Sequence, residues 1–272
     1  ISIIRKDFIM KRFSIIVPAY NVAEYIPNCI NSIKSQTFSD YEIIVVEDCS
    51  TDDGKTLNAI KQLKDITFVQ NEHNRGLGGA RNAGMEVATG EYIIFLDSDD
   101  ILYSETVLEK LNTTIGNTTP DIIYMGFNSC GTRELSILPT PENCKKEYRL
   151  AQNKFTNAWS ICWKNEFVKK HDLKFPENVI YEDVPFVFLG IALSTSFLIA
   201  DYYVHTYTSG RPNSNSTKVH FKQPADTIKC IENLCSLKGK IPTEYEPYLY
   251  ARIQEQRERL VVRLDRILNQ IF

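Results

Sequence analysis

The sequence predicts an α/β protein with a mostly parallel, doubly wound, Rossmann-like sheet and a helical carboxy-terminal appendage. Three observations point to it. Short β-branched apolar runs alternate with helical periodicities from Phe13 to Phe127, at the spacing of right-handed βαβ units. The run Tyr92–Leu96 is uninterrupted by polar residues and is bounded by Gly90 and an acidic cluster, as expected of a strand covered on both faces. From about Phe221 to Phe272 the pattern is helical, with Ile253, Leu260, Leu264, Ile267, Leu268 and Ile271 in one stripe.

The elements follow in order. Phe13–Val17 is a first strand, with Pro18 expected to end it for want of a backbone donor. Asn21 is placed to cap a helix carrying Ile26, Cys29, Ile30 and Ile33. Tyr41–Glu47 is a second strand, followed by the polar stretch to Gly54 and a helix to about Lys64. Ile66–Gln70 is a third strand, and the loop Asn71–Gly79 leads to a helix near Ala80–Ala88. After the strand Tyr92–Leu96, Ser104 is placed to cap a helix with Val107, Leu108 and Leu111 on one face, and Asp121–Phe127 is a further strand. Residues 128–150 show little periodicity. Trp159–Lys170 reads as helical in its second half, Val184–Leu193 as an apolar helix, Phe197–Tyr207 as one or two strands, and Ser209–Ser216 as a loop.

Of the 272 residues, 43% are hydrophobic and 24% charged, and the net charge is −3, which gives no support to nucleic-acid binding. The seven cysteines are scattered without a C-x-x-C pair, so neither a zinc site nor a disulfide framework is indicated and a reducing compartment is expected. No run is long enough to span a membrane. Residues 1–9 precede Met10-Lys11-Arg12 and are read as an extension outside the fold.

The chemistry gathers at strand ends. Ligands of open α/β sheets bind outside the carboxyl ends of the strands. There the first, second and fourth strands end in Pro18-Ala19-Tyr20-Asn21, Asp48-Cys49-Ser50-Thr51-Asp52 and Asp97-Ser98-Asp99-Asp100. Each cluster alone reads more simply as a cap or turn; three on one edge suggest a shared pocket. Tyr20 can pack on a flat base, Asp48 accept from a ring N–H, and Ser50 and Thr51 either bond ribose or close the turn. Asp97 and Asp99 repel each other unless a hard cation such as Mg²⁺ or Mn²⁺ lies between them. The stretch Arg75-Gly76-Leu77-Gly78-Gly79-Ala80-Arg81-Asn82 fails the dinucleotide fingerprint and is no P-loop. It offers a helix N-terminus and two arginines suited to an anion, with Arg81 in a structural ion pair as the alternative.

Val17-Pro18-Ala19-Tyr20-Asn21, Glu47-Asp48-Cys49-Ser50-Thr51-Asp52, Gly78-Gly79-Ala80-Arg81-Asn82 and Asp97-Ser98-Asp99-Asp100 stand in an order and spacing that resembles family 2 glycosyltransferases of the GT-A fold. The resemblance is strong over about residues 13–110. It continues in Trp163 and in Tyr181-Glu182-Asp183-Val184-Pro185-Phe186, which looks like the family's acceptor-side motif. It implies an inverting, bacterial polysaccharide-type transferase using a nucleotide sugar, most simply a UDP-sugar, and a glycan or lipid-linked acceptor. Residues 10–220 would then be the catalytic domain, with 10–127 the nucleotide-sugar half, 128–220 the acceptor half, and 221–272 the helical region.

The resemblance also implies roles. Pro18, Tyr20, Asn21, Asp48 and Asp52 would surround the nucleotide, with Ser50, Arg81, Asp97 and Ser98 as further candidates. Asp99, helped by Asp97, would hold Mn²⁺ or Mg²⁺ on the diphosphate. Asp183 would be the catalytic base, with Glu182 as the fallback and a helix-capping role for Asp183 as the plain alternative. Two departures stand out. Cys49 occupies a position where the family has glycine, and Arg211 and Ser214 match a downstream stretch whose aromatics are mostly missing. Arg211 could close over the diphosphate; His205 could approach the metal, although a lone histidine beside a strand is more often structural. The arginine-flanked carboxy-terminal stripe fits a helix packed on the catalytic domain, a dimer contact, or peripheral membrane contact, in a protein expected in the cytoplasm at or near the inner membrane face. The rival readings are a nucleotidyltransferase, disfavoured by Pro18-Ala19-Tyr20-Asn21 where a glycine-rich basic loop belongs, and a non-catalytic binding protein, disfavoured by intact Asp97, Asp99 and Asp183.

Overall fold

The computed structural model describes residues 10–131, 136–152, 156–210 and 223–271. In the amino-terminal half β1 (Phe13–Ala19), β2 (Tyr41–Glu47), β3 (Thr67–Gln70) and β4 (Tyr92–Phe95) are joined by α1 (Ile26–Lys34), α2 (Lys55–Lys61) and α3 (Gly76–Val87). Next come β5 (Ile101–Leu102), α4 (Val107–Ile115), β6 (Ile122–Gly131), β7 (Ser136–Ile137) and α5 (Lys146–Ala151). The chain continues through β8 (Ile161–Lys164), α6 (Asn165–Lys170), α7 (Asp183–Leu193), β9 (Phe197–Ser209), α8 (Gln223–Cys235) and α9 (Glu246–Ile271).

Among the described residues the strands form one sheet in the order β3-β2-β1-β4-β8-β6-β9-β5, with β7 paired to β6. β1 lies parallel to both β2 and β4, and β2 to β3. The chain winds outward from β1 to β3 and returns to β4 on the other side of β1, so a crevice opens at the carboxyl ends of β1 and β4. Period-two alternation splits the core into two layers. Ile16, Ile44, Val46, Ile93 and Phe95 face one layer; Phe13, Ile15, Val17, Ile43, Val45 and Ile94 face the other. The first layer also takes in α7 and the buried faces of α8 and α9.

Several local expectations change. β1 runs through Pro18 to Ala19, paired with Val46 and Glu47. Ile16 O accepts from Leu96 N–H and Ala19 O from Asp48 N–H, so residue 18 faces the β4 side, beyond the end of that ladder, where a missing N–H costs nothing. α1 starts at Ile26 with Pro27 in its first turn, so Asn21 does not cap it; Asn21 is left-handed at φ 53°. Ser104 likewise does not cap α4, whose N-cap residue is Thr106.

α3 starts at Gly76, so Gly78 and Gly79 belong to the helix and not to the loop before it. A Cβ at Gly78 would lie 2.2 Å from Pro176 O and 3.2 Å from Glu182 Cβ, so glycine here permits close approach of the 175–182 segment.

The largest change is in the second half. Ile161–Lys164 is strand β8, antiparallel to both β4 and β6, and helix α6 follows it. Its four residues lack alternation because both faces are covered. Phe197–Ser209 is one strand, parallel to β6 with register shifts around Gly126, where an added Cβ would meet Tyr202 O at 2.5 Å. In the carboxy-terminal stripe Ile253 joins the core, but Leu264 and Leu268 are exposed with Val261 and Val262, because in this part of α9 it is the side carrying Arg263, not the apolar stripe, that turns to the domain. No helix among the described residues is long and apolar enough to cross a membrane.

Candidate active site

The loops after β1 and β2 close on each other. Asn21 Oδ1 accepts from Thr51 N–H at 2.8 Å, Asn21 Nδ2 donates to Thr51 Oγ1 at 3.1 Å, and the Asn21 N–H donates to Ser50 Oγ at 3.1 Å. Tyr20 is exposed, its hydroxyl 3.3 Å from Thr51 Oγ1, so its ring stands at the crevice mouth. Ser50 and Thr51 thus close the turn, and Pro18 is buried one residue before the strand end. Glu47 accepts from the N–H groups of Cys49 and Ser50, which bends the loop tightly. Cys49 adopts φ 55°, the left-handed region where glycine is at ease; the turn is retained in spite of the cysteine.

Asp48 is buried and its Oδ1 accepts from Asn71 Nδ2 at 2.7 Å and Arg75 N–H at 2.9 Å. Burial raises its proton affinity, against the pull of those two donors. Asp52 points the other way: its Oδ2 accepts from Thr56 N–H and Oγ1 at 3.0 and 2.6 Å in the first turn of α2. That is a helix-start role, the simpler reading of this residue.

Beyond β4, Asp97 O accepts from Asp100 N–H, which turns the acidic stretch, and Asp100 Oδ1 ties it to Thr208 N–H of β9 at 2.7 Å. Ser98 is buried, while Asp97 and Asp99 are partly exposed. Asp97 Oδ1 accepts from Arg81 Nη2 at 2.9 Å.

Arg81 is the hub of the site. It sits on α3 with its side chain 1% exposed, and its Nη1 donates to Glu182 Oε1 at 2.9 Å and Asp183 Oδ1 at 2.6 Å. Of the two alternatives the sequence left open, the structure shows the ion pair, with the guanidinium turned to protein carboxylates. Burial opposes its charge, but Asp183, Asp97 and Glu182 outweigh this and hold its proton affinity above the ordinary value. The sequence signal was present in Gly79-Ala80-Arg81-Asn82; what it lacked was the partner, about a hundred residues on.

Asp183 is the first residue of α7 and makes no capping bond, so the helix-cap reading fails. Its carboxylate turns to Arg81 and to Ala158 N–H at 3.3 Å. Ala158 is held in turn by Trp163, whose Nε1 donates to Ala158 O at 3.1 Å. Trp163 is thus a fully buried support behind Asp183. Burial pushes Glu182 up to about 8, with the Asp183 charge adding to it. Burial also raises Asp183, while Arg81 opposes it. The Glu182 side chain is 8% exposed and that of Asp183 18%. Burial thus raises the proton affinity of both carboxylates, with Glu182 the deeper of the two and Asp183 nearer solvent.

His205 is buried against Phe127, stacked at 5.8 Å, and Trp159, edge-on at 4.5 Å. Burial lowers it to about 3, so it is a neutral core imidazole. Arg211 and Ser214 lie outside the described residues. Among those residues no group of three or more His, Cys, Asp or Glu is arranged to hold a metal. Asp97 and Asp99 nonetheless fit the mode of Mg²⁺ and Mn²⁺ in which one or two carboxylates share the ion with substrate phosphates and water.

The family model for "Glycosyl transferase family 2" matches residues 14–174, more than half of the chain and including β1 to β4 with their terminal clusters. The chain belongs to glycosyl transferase family 2. Among curated relatives of this family 2 chain, the poly(ribitol-phosphate) beta-N-acetylglucosaminyltransferase TarP of Staphylococcus aureus is 40% identical over 221 residues, covering 78% of this chain and 67% of TarP. The teichoic acid poly(glycerol phosphate) polymerase of Staphylococcus epidermidis is 36% identical over 191 residues, 65% of this chain but only 26% of the polymerase. The uncharacterized glycosyltransferase EpsJ of Bacillus subtilis is 30% identical over 227 residues, covering 78% of this chain and 65% of EpsJ. The chain thus spans about a quarter of that polymerase and about two thirds of TarP and EpsJ. Of solved structures, S. aureus TarS 1–349 in complex with UDP-GlcNAc superposes with a TM-score of 0.72 at 21% identity, covering 90% of this chain and 72% of that one. This likeness establishes the fold, the GT-A fold expected from the motifs.

Proposed function

We propose that this family 2 chain is a metal-dependent, inverting glycosyltransferase that moves a sugar from a UDP donor to a hydroxyl of a bacterial surface polymer. The observation that carries the reading is Arg81, which joins Asp97 at the donor edge to Asp183 at the head of α7 in one buried cluster. A donor-side carboxylate and an acceptor-side base are thereby held in fixed relation, as a single displacement requires. TarP and TarS, whose names or complexes involve N-acetylglucosamine transfer or UDP-GlcNAc, make UDP-GlcNAc the first donor to test.

In this mechanism Tyr20 and Asp48 hold the base of the nucleotide. Asp99, with Asp97, would hold a divalent cation, which when bound neutralises charge on the departing diphosphate. Asp183 takes the proton of the acceptor hydroxyl. That oxygen forms a bond to the anomeric carbon while the bond to the diphosphate oxygen breaks from the opposite side, its electron pair leaving with UDP. Configuration is inverted by this one displacement. Glu182, protonated, neither competes for the proton nor repels the diphosphate, and Arg81 keeps Asp183 aimed.

Calorimetry of UDP binding with and without Mn²⁺, on the wild type and Asp99→Ala, tests the donor half. Binding that needs Mn²⁺ and is lost in Asp99→Ala is expected. Tight binding indifferent to both would overturn the metal-bridged site.

A further inference from the structure

The segment between α6 and α7 carries three non-glycine residues at positive φ: Asp172 at 46°, Asn178 at 54° and Tyr181 at 77°. Short polar side chains tolerate this region by bonding locally. A tyrosine has no such compensation, so something outside the turn must hold it. Tyr181 directly precedes Glu182 and Asp183, and its backbone angle sets the direction in which both leave the turn.

The hold comes from the carboxy-terminal helices. The Arg263 guanidinium of α9 lies 4.2 Å over the Tyr181 ring. Arg263 is itself fixed, since its Nη1 donates to Oγ1 of Thr227, a fully buried residue of α8. The Thr227 hydroxyl donates onward to Gln223 O at 2.6 Å. A cation over an aromatic face is most effective where water is excluded, and Arg263 is partly buried. A second tie from α8, Lys229 Nζ to Asn178 O at 3.5 Å, reaches the same segment. From the other side the segment rests on the glycine face of α3, with Pro176 O and Glu182 Cβ against Gly78. The turn is therefore pressed between α3, which carries Arg81, and α9, which carries Arg263.

We propose that Arg263 is a positioning residue for Asp183, acting through the Tyr181 ring to fix the left-handed turn that presents Glu182 and Asp183 to Arg81. The inference rests on the reading of Asp183 as the base, and it gives the carboxy-terminal helices a part in the reaction that needs no contact with substrate.

The test uses UDP-GlcNAc turnover, UDP affinity and backbone hydrogen exchange. Arg263→Gln keeps the stem and removes the charge. Its kcat is expected to fall about tenfold or more, since small misplacements of a reacting group are costly, with UDP affinity unchanged. Arg263→Lys restores a cation over the ring and should recover most of the rate. Tyr181→Leu removes the aromatic face with Arg263 and Thr227 in place; the same loss is expected, and this variant decides the matter should Arg263→Gln not fold. In a Tyr181→Gly background the left-handed turn costs nothing, and Arg263→Gln should change kcat no further. Amides of residues 180–184 should exchange faster in Arg263→Gln while those of β1 and β4 do not. Wild-type kcat and exchange in Arg263→Gln, or an equal further loss in the Tyr181→Gly background, would overturn the proposal. A wild type that does not turn over UDP-GlcNAc would count against the donor assignment, and the exchange comparison would then decide whether Arg263 holds the turn.

Discussion

The part of the sheet before Leu102 and the part after Ile122 bring side chains to the same crevice by different means. In the first, β1, β2 and β4 run parallel and each releases its polar residues where the strand stops, so position in sequence alone sets position on the edge. The bonds that finish this half join neighbouring loops: Asn21 to Thr51, and Asp48 to Asn71 and Arg75. In the second, β8 runs antiparallel between β4 and β6, and the key carboxylates stand at the start of a helix after a strained turn. Asp183 is fixed by Arg81, by Ala158 with Trp163 behind it, and by a turn pressed between two helices. The amino-terminal part of the crevice is thus built from successive strand–helix units and contacts between neighbouring loops, and the part around Asp183 from long-range contacts. Substitutions far from the crevice should reach Asp183 more readily than Asp48.

The sharpest way to break this comparison is at Asp183. Asp183→Asn should lower transfer by about 10²–10⁴-fold, the usual worth of a positioned base. UDP affinity, which the proposed mechanism assigns to the amino-terminal part, should stay close to wild type. Rate and affinity measured on one preparation decide it; a parallel loss of both would mean the halves are not separable.

The next test is one of pH. Glu182 is raised from 4.5 to about 8 by burial in the folded chain. Between those values the folded state holds a proton that the unfolded state has released, so stability falls as pH rises through this window. Glu182→Gln carries no titrating proton and should flatten that fall. Urea midpoints at pH 5 and pH 8 for both proteins give the comparison, and an unchanged slope would place the retained proton elsewhere in the cluster.

The smallest effect is expected in the amino-terminal part, at Cys49. Cys49→Gly suits the 55° backbone angle but frees the unfolded chain and removes the Cys49 Sγ contact to Asn71 O. The net gain should be about 0.5 kcal/mol by denaturant midpoint. A loss larger than that would show that the sulfur contact, not the turn, governs the position.

Chain order, period-two runs and the acidic stop after Leu96 determined the α/β class, the parallel amino-terminal part of the sheet and the residues that would meet at its edge. These are local properties: a buried parallel strand must be apolar throughout, and a ligand edge must be polar where the strand ends. The family resemblance pointed to Glu182-Asp183 but could not say which of the two lies deeper beside Arg81, because that depends on how the chain packs around them. The sequence also could not show β8, whose four covered residues carry no alternation, or that Gly78 serves close packing against Pro176. The carboxy-terminal stripe was visible as a helical pattern, yet only the packing of α9 decided that Ile253 is buried and Leu264 exposed. Tertiary structure alone made Arg81 the hub of three carboxylates and set Arg263 over Tyr181. Arg81 meets Asp97 16 positions on but Glu182 and Asp183 at 101 and 102, and Arg263 stands about eighty from Tyr181, separations no spacing rule reaches; a buried charge finds its partners only when the chain has closed around it.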